Sequence, residues 1–156
     1  MNSARDDAAR IAWAWRELRR GAAAGAFRRH LLVADGHLLE LSQADALEVV
    51  VAHPDGLNMT EFAEAMHIDR STATRAIDRL ERLGFAARSV GEADSRIKVI
   101  RPTERGAAAI AEIVERRITS YARLLETFDD DERAALADQL QRLVHSLGDF
   151  VAGLES

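Results

Sequence analysis

Hydrophobic positions recur with a helical period along most of the chain, and both prolines fall between the periodic segments. Apolar residues spaced three and four positions apart form one face of an α-helix. This pattern predicts a first helix that runs from Ser3 towards Arg20 and as far as Val33. Gly21 and Gly25 lie in its middle, where glycine weakens a helix. The chain is therefore predicted to be mainly helical, with a kink or break near these glycines.

Three polar residues in the middle of the chain are placed to cap helices. Ser42, Thr60 and Asp69 each precede a segment with a helical apolar period. A turn sequence, His-Pro-Asp-Gly at 53–56, separates the first of these segments from the second. The third segment ends at Gly84, a residue type that commonly terminates helices. A short helix, a tight turn and a second helix in this order predict a helix-turn-helix.

The helix after Asp69 is predicted to have two chemically different faces. At about 100° per residue, one face is apolar and collects Ala73, Ala76, Ile77, Leu80 and Leu83. The opposite face is polar and carries Ser71, Arg75, Asp78 and Arg82, flanked by Thr74 and Arg79. Guanidinium groups bind guanine edges and phosphates, and short hydroxyls bond to phosphates and base edges at close range. The polar face therefore predicts a helix that enters the major groove of DNA.

Two short segments after Gly84 have the pattern of β-strands. Residues 85–90 and 96–101 are joined by the turn-rich segment 91–95. A helix-turn-helix followed by a basic hairpin is a winged helix, and Arg96 and Lys98 lie at the far side of the hairpin tip. An arginine there can enter a narrow A·T-rich minor groove. Asp94 either holds the Arg96 guanidinium in an ion pair or is an ordinary turn aspartate.

The charge of the chain is unevenly distributed. Residues 69–105 contain nine Lys and Arg against six Asp and Glu, whereas the remainder contains twelve against twenty, within a net charge of −5. A basic segment in an acidic chain favours a surface that faces a polyanion, although a solvated helix face has the same pattern. The absence of cysteine excludes disulfides and thiol-based redox switches. No apolar run is long enough to span a bilayer, so a cytoplasmic protein is expected.

Both ends of the chain are predicted to form helices with apolar faces. Thr103 caps a helix that runs to about Thr127, and the acidic run 129–132 opens a final helix that reaches about Leu154. The acidic run suits a helix N-terminus better than a divalent metal, because no spaced carboxylate or histidine accompanies it. The apolar stripes of the first and last helices predict a two-fold interface, with an ordinary core as the alternative. The predicted interface residues are Ile11, Trp15, Leu18, Leu136, Leu140, Leu143 and Leu147.

The order of these parts resembles the multiple-antibiotic-resistance regulator (MarR) family of bacterial transcription factors. The matching pieces are "LSQADALEVVVAHPDGLNMTEFAEAMHID", "STATRAIDRLERLGFAAR", the wing residues Asp94 and Arg96, and "PTERG". The resemblance implies a mainly α (α+β) fold, a winged helix-turn-helix with long N- and C-terminal dimerisation helices and a two-stranded β wing. It implies a single domain, 1–156, with a DNA-binding lobe at 42–101 and a helical dimerisation region at 4–33 and 104–154.

The resemblance also implies a function. Members of the family are homodimers that bind pseudo-palindromic double-stranded DNA, usually repress transcription and are often released by a small aromatic or phenolic ligand. Carried over to this chain, the DNA-binding residues are Ser71, Thr72, Thr74, Arg75, Arg79, Asp94 and Arg96. Arg82 and Lys98 join them because of their places on the outer helix face and the hairpin. No cofactor is expected, and the five scattered histidines lack the spacing of a helical zinc site.

Two other classes of function remain to be compared with this prediction. A winged-helix module that binds proteins instead of DNA is the alternative, and it would require an apolar outer face on the second helix. An enzyme would require a nucleophile–base pair, a metal cluster or a phosphate-binding loop, and the sequence contains no motif for any of these. The sequence therefore predicts a DNA-binding regulator without enzymatic activity.

Overall fold

A computed structural model describes residues 3–90 and 98–154. Its helices are α1 (Ser3–Arg20), α2 (Ala22–Leu31), α3 (Leu41–Val51), α4 (Met59–Ala65), α5 (Arg70–Leu83), α6 (Glu104–Leu124) and α7 (Asp130–Leu154). Its strands are β1 (Val33–Ala34), β2 (His37–Leu38), β3 (Leu57–Asn58), β4 (Ala86–Val90) and β5 (Lys98–Pro102). The predicted class, mainly α with short antiparallel strands, is confirmed.

The chain divides into two compact units, Met1–Arg117 and Ile118–Ser156. The second unit contains the end of α6 and the whole of α7. Asp129 begins α7 through a reciprocal pair of hydrogen bonds, in which its carboxylate accepts from the Glu132 backbone at 2.8 Å and the Glu132 carboxylate accepts from the Asp129 backbone at 3.0 Å. This capping box agrees with the prediction that the acidic run opens a helix.

The predicted break in the first helix lies at Gly21. The Gly21 backbone N–H donates to Glu17 O at 2.8 Å, and a Cβ at this position would lie 2.6 Å from the same oxygen. Arg28 reaches back from α2, and its Nη1 donates to Leu18 O at 3.0 Å. An arginine thus satisfies one of the carbonyls that the end of α1 leaves without an intrahelical donor.

The hairpin formed by β1 and β2 was not predicted, because the first helix was extended as far as Val33. The chain instead turns at Asp35 and Gly36, with φ of 50° and 73°, and Val33 lies opposite Leu38. Positive φ at both central residues is typical of a two-residue hairpin turn, for which Asp-Gly is a strong sequence signal. Arg105, at the start of α6, holds this turn through an ion pair with Asp35.

The starts of α3 and α4 differ from the prediction by two residues. Glu40, not Ser42, caps α3, and Asn58, not Thr60, caps α4. Each cap is a capping box, in which the third helical residue bonds back to the backbone of the cap residue. Ser42 and Thr60 therefore lie inside the first turns. The predicted cap at Asp69 is confirmed.

The core of the first unit lies between its helices and a three-stranded antiparallel sheet of order β3-β5-β4. Its largest fully buried side chains are Leu47, Val50, Phe62, Ile77, Leu80, Phe85, Ile100 and Ile113. Gly106 allows α6 to approach the chain that follows α5, since a Cβ there would lie 2.0 Å from Phe85 O. This close approach holds the C-terminal end of α5 against the core.

Candidate nucleic-acid interface

Local hydrogen bonds hold both ends of α5. The Asp69 carboxylate accepts from the backbone N–H groups of Ser71 and Thr72 at 2.9 and 3.0 Å, and from their hydroxyls at 2.6 and 2.7 Å. These bonds, led by the Ser71 hydroxyl, hold the pKa of Asp69 well below its usual range. At the other end, Gly84 has a left-handed backbone with φ of 73°, and its N–H bonds to the carbonyls of the last turn.

The two faces of α5 are those that the sequence predicts. Ala73, Ile77 and Leu80 are buried, and Ala76 and Leu83 are half-buried. The opposite side exposes Ser71, Thr72, Arg75, Arg79 and Arg82, with Thr74 half-buried. The predicted polar residues of the helix therefore share one outward surface.

The hydroxyls on this surface already donate hydrogen bonds within the chain. Ser71 and Thr72 donate to Asp69, as described above, and Thr74 Oγ1 donates to Arg70 O at 2.9 Å. Each hydroxyl oxygen keeps accepting capacity, but its one donor hydrogen is in use. Contacts from these hydroxyls to phosphate or base acceptors therefore require an exchange of hydrogen-bond partner.

The three predicted arginines on α5 differ in what they contact. Arg79 Nη1 lies 3.4 Å from a carboxylate oxygen of Glu40, and both side chains are exposed, a geometry that contributes little stability. Arg82 Nε donates to Asp78 O at 3.2 Å. Arg75 has no hydrogen-bond or ion-pair partner within residues 3–90 and 98–154. Arg75 is therefore the arginine of this face that is free to meet a ligand.

An ion-pair cluster joins α5 to β4, and no local sequence pattern indicates it. Arg88 on β4 lies between two carboxylates of α5: its Nη2 is 2.8 Å from Asp78 Oδ1, and its Nη1 pairs with Glu81. The Arg88 backbone N–H also donates to the Glu81 carboxylate at 3.0 Å. Asp78, which was predicted to lie on the outer face, is thus paired with Arg88, and its negative charge is balanced.

The described part of the wing brings Lys98 close to α5. Asp94 and Arg96 belong to residues 91–97, outside the described ranges, whereas Lys98 is exposed at the start of β5. A groove of about 420 Å³ beside it is lined by Asn58, Met59, Arg70, Thr74, Arg88, Lys98 and Ile100. Lys98 from the wing and Thr74 from α5 therefore line one groove. Arg70 was missed, although its place next to the Asp69 cap puts it at the start of the same helix.

The predicted interface residues keep apolar surface in contact with solvent. In α1, Ile11, Trp15 and Leu18 are all exposed, and the helix has no buried residue. In α7, Leu140, Leu143 and Leu147 are exposed, and Leu136 is half-buried. Apolar surface of this extent is typical of sites that bind another apolar surface.

The part of the chain that the structure describes contains no group of three or more His, Cys, Asp or Glu side chains placed to hold a metal ion. None of its helices is long and apolar enough to cross a membrane. The groove beside α5 is lined by three cations, Arg70, Arg88 and Lys98, together with the Thr74 hydroxyl and the Asn58 amide, and this lining suits a polyanionic ligand.

Comparison with known sequences gives a match in the same region. A family model described as the MarR family matches residues 39–97. The HTH-type transcriptional regulator PecS of Dickeya dadantii is 31% identical over 90 residues, which are 58% of this chain and 54% of PecS. The chain thus spans about half the length of PecS.

Solved structures extend the likeness to most of the chain. A MarR family protein from Bacillus stearothermophilus has a TM-score of 0.68 and 28% identity, over 89% of this chain and 96% of that protein. The transcriptional regulator SlyA has a TM-score of 0.53 and 31% identity, over 72% of this chain and 78% of SlyA. The helix-turn-helix, the strands beside it and the flanking helices therefore have counterparts in solved relatives. The chain belongs to the MarR family.

Proposed function

We propose that this chain is a sequence-specific DNA-binding transcriptional regulator that acts as a homodimer on a pseudo-palindromic operator. The observation that carries the proposal is α5 itself, held at both ends, buried on one face and exposing the free Arg75 near its N-terminal end. In helix-turn-helix proteins the second helix lies in the major groove, and its N-terminal residues contact base edges. The polar outer face argues against a module that binds apolar protein surfaces.

The proposal gives the contacts different tasks. Arg75 reads a base edge, because its guanidinium has no partner to give up within the described residues. Arg79 and Arg82 bind phosphates, and Arg79 exchanges its exposed pair with Glu40 for the DNA backbone. Lys98 binds phosphate from the wing, and Arg96 is assigned to the flanking minor groove on the family resemblance.

Dimerisation is part of the proposal because one lobe presents a single short helix and one wing. Such an interface is too small for tight specific binding by itself. Two lobes related by a two-fold axis read half-sites about one helical turn apart, and the tether makes the second contact intramolecular. The exposed apolar faces of α1 and α7 support this arrangement, since they offer the surface for a second copy.

Repression, and release by a small aromatic or phenolic effector, are proposed on the family resemblance alone. Footprinting the protein on the DNA that flanks its own gene, with and without phenolic ligands, tests both. A footprint overlapping the promoter and lost on addition of a ligand is the expected result.

Replacing Arg75 with alanine tests the central contact. Arg75→Ala is expected to weaken binding to the operator by about 1–3 kcal/mol, the range for one bidentate base contact. Binding to a random duplex of equal length should fall much less, because Arg75 cannot make its base-specific contact where the matching base is absent. Arg142→Ala, which removes an exposed arginine from α7, is the matched control in the same titrations. Equal losses on operator and random DNA would restrict Arg75 to a phosphate contact.

A further inference from the structure

The turn between α4 and α5 forms a second groove, which none of the DNA-binding residues proposed above lines. Its volume is about 620 Å³, and it is lined by Thr60, Ala63, Glu64, His67, Ile68 and Arg70. It lies directly before the N-terminal end of α5, the end that helix-turn-helix proteins direct at the bases. A chemical group bound there would sit beside the bases that α5 reads.

His67, in the middle of this turn, has an unusual backbone conformation. Its φ is 53°, a left-handed value that disfavours residues with a Cβ and that glycine adopts freely. Turns of this motif often contain glycine at such a place. The backbone N–H of His67 donates to Glu64 O at 3.0 Å, which holds the turn closed. A histidine therefore occupies a position where glycine would be less strained.

The His67 side chain contributes little to the fold. It is exposed, and its imidazole has no hydrogen-bond partner in the part of the chain that the structure describes. Residues held in sparsely populated backbone conformations cluster at active sites and ligand-binding sites. The His67 side chain is therefore available to contact a ligand.

Two other polar groups of the groove, Arg70 and Thr60, are suited to phosphate, whereas Glu64 adds a carboxylate to the same lining. Arg70 Nη1 lies 3.4 Å from Thr60 Oγ1, so a guanidinium and a hydroxyl meet at one edge of the groove. Arg70 is exposed and has no ion-pair partner within the described ranges. Arginine and threonine side chains are common donors to the phosphates of DNA. With the imidazole of His67, three donors from α4, the turn and α5 border one groove.

We propose that this groove binds one backbone phosphate of DNA and that His67 makes the contact dependent on pH. The proposal rests on the DNA-binding function proposed above. Thr60 and Arg70 supply hydrogen bonds at any pH, and His67 adds a positive charge only when it is protonated. The ionisable groups that line the groove with His67 are Glu64 from α4 and Arg70 from α5. Carboxylates and guanidiniums keep their charge between about pH 6 and about pH 8, whereas histidines change theirs within that range.

The wild-type chain is titrated against an operator duplex selected from a random-sequence pool, and against a random duplex of the same length. Both titrations are run at about pH 6 and about pH 8, each over a series of salt concentrations. We expect binding to be about three- to tenfold tighter at the lower pH, with a salt slope steeper by about one. Both duplexes should respond alike, because a phosphate contact carries no sequence information.

Three variants assign the effect to His67. His67→Asn suits a left-handed backbone but is neutral, so it should remove the pH difference and the difference in salt slope. His67→Lys carries its charge at both pH values and should bind at about pH 8 as tightly as wild type does at about pH 6. His53→Gln is the control: it removes another exposed histidine, whose Nδ1 lies 2.8 Å from Val49 O, and should change neither quantity. Thermal unfolding checks that each variant is folded.

The outcomes distinguish a failure of the proposal for His67 from a failure of the DNA-binding function. A wild-type protein that binds DNA equally tightly at both pH values overturns the proposal for His67 and leaves the DNA-binding function intact. A pH difference that persists in His67→Asn, or that disappears in His53→Gln, also overturns it. A wild-type protein that selects no duplex at either pH refutes the DNA-binding function itself.

Discussion

The helices α5 and α1 have similar amphipathic sequences but different surroundings. In α5, Ala73, Ile77 and Leu80 are buried in the core of its own unit. In α1, Ile11, Trp15 and Leu18 lie on one face by their spacing, yet they are 59%, 55% and 66% exposed. An apolar stripe therefore predicts that a helix face will be buried, but it does not indicate whether the same chain or a second copy buries it.

The two helices should also differ in what stabilises them. Most helical stability in proteins comes from the packing of an amphipathic face, and α1 has no buried residue. The contact of Arg28 with the end of α1 satisfies one carbonyl but buries little apolar surface. We therefore expect α5 to be held by its own chain and α1 to depend on association with a second copy.

The largest expected loss comes from the core beneath α5. Ile77→Ala should lower the free energy of unfolding by about 2–5 kcal/mol, because Ile77 is fully buried and alanine leaves a cavity. The matched substitution on α1 is Ile11→Ala. Urea unfolding at several protein concentrations should give a constant loss for Ile77→Ala but a loss that changes with concentration for Ile11→Ala, since association contributes to its stability. A concentration-independent loss for both variants would remove the contrast between the two helices.

A charge on the apolar face of α1 should separate the proposed dimer. Leu18→Asp would bury a carboxylate against apolar neighbours in the interface, and sedimentation should then show a monomer at micromolar concentration. Operator affinity should fall by about a hundredfold or more, because the second half-site contact is no longer intramolecular. Ala9→Asp adds the same charge to the opposite side of α1 and should leave the dimer intact. A wild-type monomer that binds a single half-site tightly would contradict both statements.

Removing Arg88 should lower the affinity of the α5 surface for DNA and should leave the buried face of α5 unchanged. Arg88→Met leaves Asp78 and Glu81 without their cation, so DNA phosphates should be repelled and affinity should fall about tenfold on operator and random duplexes alike. Adding Asp78→Asn and Glu81→Gln to the same protein removes the two carboxylates and should recover most of the loss. No recovery in the triple variant would show that Arg88 acts otherwise than by balancing these charges.

The smallest expected change concerns the cap of α5. Because hydrogen bonds hold the pKa of Asp69 below its usual 3.8, the folded protein binds this proton more weakly than the unfolded chain. The stabilisation is therefore complete above the usual value and is lost as the pH falls through the lower folded value. Asp69→Ala should be modestly less stable than wild type in urea unfolding at neutral pH, and the difference should disappear in strong acid. Asp69→Asn, which still accepts the backbone bonds, is the control, and a difference already fading near neutral pH would contradict the assignment.

How accurately each feature was predicted depends on how far apart along the chain the residues that determine it lie. For α5, the cap at Asp69, the spacing of the buried residues and the terminal Gly84 all lie within one short segment, and all were predicted. At α3 and α4, Ser42 and Thr60 were chosen because serine and threonine cap helices well. The true caps, Glu40 and Asn58, lie two residues earlier, where the incoming chain turns away from the helix axis.

The strands that were missed are too short to have a pattern of their own. β1, β2 and β3 contain two residues each, and alternation cannot be recognised over two residues. The Asp-Gly turn at 35–36 was a usable signal for the first hairpin and was overlooked. β3 exists because Leu57 pairs with Ile100, a partner far along the chain that no local pattern indicates.

The sequence by itself determined which segments form helices, which face of α5 is buried and which face is charged, because these properties arise from residues within a few turns of one another. Only the tertiary structure decided that Arg88 balances Asp78 and Glu81, that Lys98 joins Thr74 in one groove, and that Gly106 packs on the backbone of Phe85. It also decided that the apolar face of α1 remains exposed. These contacts depend on how separate segments pack against one another. The free energy of that packing is set by the whole core, not by any one segment.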